Sequence, residues 1–184
     1  MLFRSEGARG NSRLKFWIQG SAIGFYGSTS PGAPEVDESS AAGSGFLAET
    51  CKDWEAAIEP LPEQIRKVIV RTGVVFSHQG GAFPKMLDPL LSSVGGVLGS
   101  GEQKMSLIHL VDVARFIVFS TQNESVKGVY NLVSDSPVSQ RELVEKLEAG
   151  LNVRKGPRVP EVALKLALGE MANLILESQA VRSH

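Results

Sequence analysis

Residues Lys67–Phe76 read KVIVRTGVVF, a β-branched run interrupted by one arginine and by Gly73. Apolar residues fill consecutive positions, so the run predicts a buried strand of a parallel sheet, followed by a turn. Upstream, Leu14–Gln19 (LKFWIQ) is a second apolar and aromatic run that stops at Gly20, and it predicts another buried strand entering a turn there. Between the two, Leu47, Cys51, Trp54 and Ile58 recur at helical spacing, with Ser44 placed as N-cap and Pro60 as stop. Strand, helix and strand joined by more than hairpin loops make a βαβ unit.

The pattern continues downstream. Gly80 and Gly81 precede a helix over Ala82–Leu91, and a glycine-rich stretch, GGVLGSG, runs from Gly95 to Gly101. A helix follows from Val111 to about Thr121, then a strand, VYNLV, after Gly128. Ser139 opens a helix through a Ser-x-x-Glu capping box to Glu142, and Pro160 starts an apolar helical region reaching about Gln179. Ser28–Gly45 is almost all turn-forming residues, about 18 of them, which predicts a functional lid or a disordered loop. The first ten residues read as a floppy terminus.

Composition excludes several classes of function. Nineteen lysines and arginines balance twenty aspartates and glutamates, leaving a net charge of −1 and no basic field for a nucleic-acid backbone. No apolar run approaches the roughly 18 residues of a membrane-spanning helix. A single cysteine, Cys51, makes no internal disulfide and suits a reducing compartment. The chain of 184 residues, 42% hydrophobic and 21% charged, has room for one globular domain.

Ligand chemistry in doubly wound sheets gathers at the carboxyl ends of strands, where Ser21, Tyr26, Thr72 and Gly73 stand. Gly20, Gly24 and Gly27 come near the dinucleotide-binding spacing, but Pro31, Gly32 and Pro34 forbid the helix that must follow, so a turn is expected. Ser21 either polarises a substrate oxygen or satisfies turn backbone, and Tyr26 reads as a packing residue with a wet hydroxyl. Cys51, on the apolar stripe, is a small core residue or a reactive thiol. The two glycine clusters hold an anion or simply turn the chain. His109 and Asp112 lie at a strand-to-helix junction, where Asp112 favours the helix N-terminus or meets substrate. His78, His109 and His184 lack metal-ligand spacing, so no metal is expected.

Taken in order, GSAIGFYG, FLAETCKDWEAA, VIVRTGVVFS, GGAFPKML, GSGEQKMSLIHLVDVARFIVF and GVYNLVSDSPVSQREL resemble the epimerase family of atypical short-chain dehydrogenase/reductases, over about Leu14–Val181. The resemblance implies an α/β fold, the C-terminal part of a Rossmann-like doubly wound parallel sheet with a small substrate lobe. In that family the glycine-rich pyrophosphate loop lies near the N-terminus, before the strand that is Leu14–Gln19 here. It therefore implies an N-terminally truncated chain: 1–13 disordered, 14–156 a partial NAD(P)-binding domain with the substrate lobe, and 157–184 a truncated helical C-terminal extension.

The superfamily's reductases and epimerases use a serine and, four residues apart on one helix, a tyrosine and a lysine. By resemblance Leu47 and Cys51 hold the last two positions, while Ser21, Cys51 and Tyr26 are the catalytic candidates. Arg71, Thr72, Gly73 and Val74 fall where the family's backbone meets the nicotinamide, and Gln103, His109 and Asp112 fall around the substrate lobe. The implied cofactor is NADP or NAD in a full-length parent and not in this chain alone. The implied function is hydride transfer at a sugar-type or small carbonyl substrate. The alternative is a non-catalytic Rossmann scaffold, as in family members associated with plastid division. Location is expected to be intracellular, cytoplasmic or plastid, and an uncovered sheet edge predicts self-association.

Overall fold

A computed structural model describes residues 11, 13–30, 32–169 and 171–184. The segment expected to be disordered, 1–13, lies outside the described residues apart from Asn11 and Arg13. In chain order the elements are β1 (Phe16–Ala22), a 3₁₀ turn (Ile23–Tyr26), α1 (Phe46–Ala56), β2 (Arg66–Thr72), β3 (Val74–Phe76) and α2 (Ala82–Leu91). They continue as β4 (Lys104–Met105), β5 (Leu107–His109), α3 (Leu110–Gln122), β6 (Gly128–Leu132), β7 (Val138–Ser139), α4 (Gln140–Leu151), α5 (Glu161–Leu168) and α6 (Met171–Leu176).

The main sheet is parallel, in the order β1-β2-β6. Its register brings Ser21, Arg71 and Asn131 side by side in one row. Alternation of side chains across the strands then sorts the two faces. Phe16, Ile18, Val68, Val70, Tyr130 and Leu132 pack with Val113 and Phe116 of α3. Trp17 and Ile69 face the other way, onto Ile58, Leu61 and Ile65, which follow α1. Helices thus cover both faces, as a doubly wound sheet requires.

Gly73 separates β2 from β3, and a methyl group there would stand 2.6 Å from the Ser106 carbonyl oxygen. The close approach lets the chain leave the main sheet and pair β3 with β5 in a smaller parallel unit. Lys104–Met105 pairs antiparallel with Val138–Ser139 in a second small unit. These short strands, with α2 and α4–α6, form the lobe beside the sheet.

Several sequence expectations need adjusting. β1 does not stop at Gly20 but runs on to Ala22, because parallel pairing with β2 continues through Ala22–Thr72. Ser44 does not cap α1; Gly45 occupies that position at φ 98, with no side-chain cap. α1 ends at Ala56, so Ile58 is buried by the turn that follows and not by the helix. Ser139 does cap α4 by accepting from the Glu142 amide at 3.1 Å, but the Glu142 carboxylate pairs with Lys146 at 2.8 Å instead of closing the box. The apolar region after Pro160 divides into α5 and α6 at Gly169 (φ 58).

The loop after Gly27 is stitched to the C-terminal segment. Val36 bridges Val181, the Thr29 amide donates to the Ser178 carbonyl at 2.7 Å, and the Thr29 hydroxyl accepts from Ala180 at 3.0 Å. Ser106, fully buried, accepts from the Val181 amide at 2.9 Å and donates to the Val181 carbonyl at 2.8 Å. A serine hydroxyl thereby replaces a missing strand partner for that backbone. Ser106→Ala leaves these groups unpaired in the interior, and we expect a loss of about 1–3 kcal/mol. Urea unfolding checks the loss, and hydrogen exchange should show Gln179–Arg182 released first.

Candidate functional site

The row Ser21–Arg71–Asn131 lies near the carboxyl ends of three parallel strands, on the face covered by α1. A guanidinium in that position needs a counter-charge, because burying an unpaired ion costs several kcal/mol, on the order of 3–5. Glu55 of α1 supplies it. Arg71 donates from Nε to Glu55 Oε1 at 2.9 Å and from Nη2 to Oε2 at 2.8 Å, a two-pronged fork with only 6% and 11% of the two side chains exposed. Ser21 donates its hydroxyl to the same Oε1 at 2.7 Å.

The remaining guanidinium nitrogen, Nη1, donates to the Tyr26 hydroxyl at 2.8 Å, and that hydroxyl donates to Asn131 Oδ1 at 2.9 Å. Phe25 lies beneath, with its ring centre 3.4 Å from Arg71 Cζ. Such a desolvated cation–π contact adds about 2 kcal/mol. Asn131 carries the network outward: its side-chain amide donates to the Arg182 carbonyl at 2.9 Å, and its backbone amide donates to Glu38 at 2.7 Å. The outer edge of β6 is therefore met at Asn131, and β1 and β6 each have one neighbouring strand among the described residues.

Proton affinities follow from this packing. Burial, the largest influence, pushes the Tyr26 hydroxyl above its ordinary value despite Arg71 beside it. For Arg71 burial acts downward, but its hydrogen bonds to Glu55 and Tyr26 and the Glu55 charge together outweigh it and hold the group above its ordinary value. Tyr26 stays a neutral phenol and Arg71 a cation across the physiological range.

The residues expected from sequence separate into different places. Ser21 and Tyr26 come together, each with its hydroxyl engaged. Cys51 is 2% exposed and packs on the 3₁₀ turn; a methyl on Gly24 would lie 3.2 Å from Leu47 Cβ and 3.7 Å from Cys51 Sγ. Leu47 and Cys51, the two helix positions singled out by the family resemblance, are thus filled by apolar packing against one glycine. Arg71 belongs to the network, Thr72 ends β2, Gly73 makes the crossing to the lobe, and Val74 opens the lobe.

A cleft of about 740 Å³ begins at Val74 and is bounded by α2, the 94–98 loop, β4, Gln140 and the C-terminal segment. Gln103, His109 and Asp112 do not meet in it. Gln103 is buried, with its amide donating to the Leu98 carbonyl at 3.1 Å. His109 caps α3, its Nδ1 accepting from the Val111 amide at 3.2 Å, and Asp112 pairs with Arg115 at 3.1 Å on the exposed first turn. Gly95 and Gly96 lie against Gly156, so that cluster serves close chain packing. Among the described residues no cluster of metal ligands forms, and no helix is long and apolar enough to cross a membrane.

Sequence reasoning passed over Glu55, Asn131 and Gln140. Glu55 had a visible signal: an arginine inside an otherwise apolar strand demands a carboxylate, and α1 is the element that packs there.

Comparison with known proteins supplies the lineage. The chain is 37% identical over 164 residues to the epimerase family protein SDR39U1 homolog of Arabidopsis thaliana chloroplasts, covering 89% of this chain and 47% of that protein. The crystal structure of the human epimerase family protein SDR39U1 (isoform 2) with NADPH superposes with a TM-score of 0.89 at 30% identity, over 98% of this chain and 63% of that one. The chain is similar to epimerase family proteins. A nucleoside-diphosphate sugar epimerase from Corynebacterium glutamicum superposes with a TM-score of 0.71 at 27% identity, over 97% of this chain and 41% of the other. Residues 159–184 match a family described as a domain of unknown function, DUF1731. The chain spans about half the length of the curated relatives it matches.

NAD(P) binding by such relatives poses a test of fit. Gly20 lies in β1, Gly24 within the 3₁₀ turn and Gly27 at its end, and Gly43 packs on the Tyr26 carbonyl beside them, so this loop is filled by the chain itself and is no pyrophosphate cradle.

Arg71→Met leaves Glu55 charged and unpaired, and a loss of about 3–5 kcal/mol is expected. The double variant Arg71→Met/Glu55→Met should lose clearly less than the sum of the single changes. Urea unfolding of the four proteins checks both statements, and simple additivity would contradict them.

Proposed function

We propose that these residues form the nicotinamide- and substrate-facing half of an NAD(P)-dependent epimerase- or oxidoreductase-like protein acting on a sugar-type or small carbonyl substrate. Val74 carries the reading: it ends the Arg71–Val74 stretch that the family resemblance sets beside the nicotinamide, and it opens the cleft. The dinucleotide, when bound, supplies or accepts hydride. The chain's own part is to hold Thr72–Val74 in place through Arg71, Glu55 and Tyr26, and to shape the cleft. Pyrophosphate binding uses a helix N-terminus that the 20–27 turn does not supply, so weak dinucleotide binding is expected of these 184 residues alone. In this reading the chain divides at 14–156 and 157–184 into the partial cofactor domain with its lobe and a C-terminal extension.

A second reading is a non-catalytic cofactor-binding scaffold. Leu47 and Cys51 favour it, since neither supplies the phenol and cation of the usual mechanism, and so do the engaged hydroxyls of Ser21 and Tyr26. Either protein suits a compartment that keeps Cys51 reduced, cytoplasmic or plastid. The free edge of β1 and the exposed apolar residues of α3, Val118 and Phe119 among them, favour self-association of the isolated chain.

Calorimetric titration with NADPH tests the proposal. The 184-residue chain, its fold verified by circular dichroism, should bind more weakly than about 10 μM, some 7 kcal/mol. Fused behind the first half of the human relative, it should bind more tightly than that. Failure of the fusion to bind would overturn the cofactor reading. Leu47→Tyr/Cys51→Lys in the fusion separates the two functions: a gain of carbonyl reduction marks a modified enzyme, and none marks a scaffold.

A further inference from the structure

The cleft has an apolar body and a polar end. Met86, Leu90, Val144, Val159, Leu164 and Ile175 make most of its wall. A sugar with several hydroxyl groups would leave most of them unpaired against such a surface, at a cost for each. The polar groups are few and localised.

At one end α2 starts after Gly81 with no side-chain cap, so the amides of its first turn lack the usual acceptor. Gly81, Ala82 and Lys85 from this end all line the cleft, and Lys104 joins them from β4. Neither ammonium group forms an ion pair among the described residues. Glu177 is the one carboxylate side chain among the lining residues, against these two lysines.

Gln140 is the independent observation. Its side chain lines the cleft while the residue is only 2% exposed. Its carbonyl oxygen accepts from the Leu98 amide at 3.0 Å, which fixes the side chain's orientation. Its amide nitrogen has no such partner among the described residues, although the residue lines the cleft. A buried amide held this way is a ready donor to a ligand oxygen.

We propose that the cleft binds an amphipathic anion: a carboxylate or phosphate head at Lys85 and the start of α2, and an acyl- or aryl-type body along the apolar wall. Gln140 donates to a carbonyl or similar oxygen within that body. This rests on the reading of the cleft as the substrate side, and it narrows that substrate to a carbonyl compound with an apolar body and an acidic end.

Calorimetry of the full chain with decanoate, decyl phosphate, decanol and UDP-glucose tests the assignment. Decanoate or decyl phosphate should bind with a Kd below about 100 μM, decanol at least about tenfold more weakly, and UDP-glucose without measurable heat. Comparison of the two anions distinguishes a carboxylate from a phosphate head. Lys85→Glu should weaken the anions at least tenfold and leave decanol unchanged, whereas Ile175→Trp, which fills the cleft from its exposed side, should weaken all three. Should Lys85→Glu fail to fold, Lys85→Gln is read in its place and should weaken the anions severalfold. UDP-glucose binding more tightly than decanoate, or anion binding indifferent to both the charge change and the filling change, overturns the proposal. Failure of the cofactor reading appears separately, as a fusion that binds decanoate but not NADPH.

Discussion

A guanidinium set into the middle strand of a parallel sheet must be paired, and pairing Arg71 organises what surrounds it. Its fork with Glu55 fixes the rotation and height of α1 over the sheet. Its third contact orients Tyr26, which orients Asn131, which in turn holds the C-terminal segment and the loop around Glu38. Segments from Tyr26 to Arg182 thus share one polar cluster with no buried side-chain polar atom left unsatisfied among the described residues. A half-satisfied cluster would cost more than an apolar one, so these groups are kept or lost together.

The same cluster separates support from chemistry. Ser21 and Tyr26 sit at the carboxyl end of the sheet, where active-site groups gather, yet both hydroxyls are engaged in holding the strands to α1 and to one another. Lys85 and Lys104, which form no ion pair among the described residues, line the cleft instead, together with the buried Gln140. Gly73 links the two regions, because only a residue without a side chain lets the chain pass Ser106 on its way from sheet to lobe.

Long apolar periodicity made the main elements legible in the sequence. α2 matches its expected ends, Ala82–Leu91, and Gly73 divides the strands as its position suggested. The two-residue strands β4 and β7 carry too little pattern to be seen, since three or more alternating positions are needed for a signal. Ser44 misled because capping preference is local, whereas Gly45 is required by a backbone angle that the tertiary path imposes. At the site, Ser21 and Tyr26 were legible as neighbours of strand ends, but their partners Glu55 and Asn131 come from residues 34 and 105 positions away. Gln103, His109 and Asp112 fall around the substrate lobe by resemblance, the last two also at a strand-to-helix junction, and none of the three lines the cleft.

The central claim is that the Arg71 cluster holds the sheet, α1, the 36–40 loop and the C-terminal segment as one unit. Native-state hydrogen exchange on Glu55→Ala tests this most directly. The account predicts that amides of the second halves of β1, β2 and β6, of Val36 and of Ala180–Arg182 lose protection together, while those of α4 keep theirs. Loss confined to α1, with Asn131 and Val181 protected as before, would contradict it.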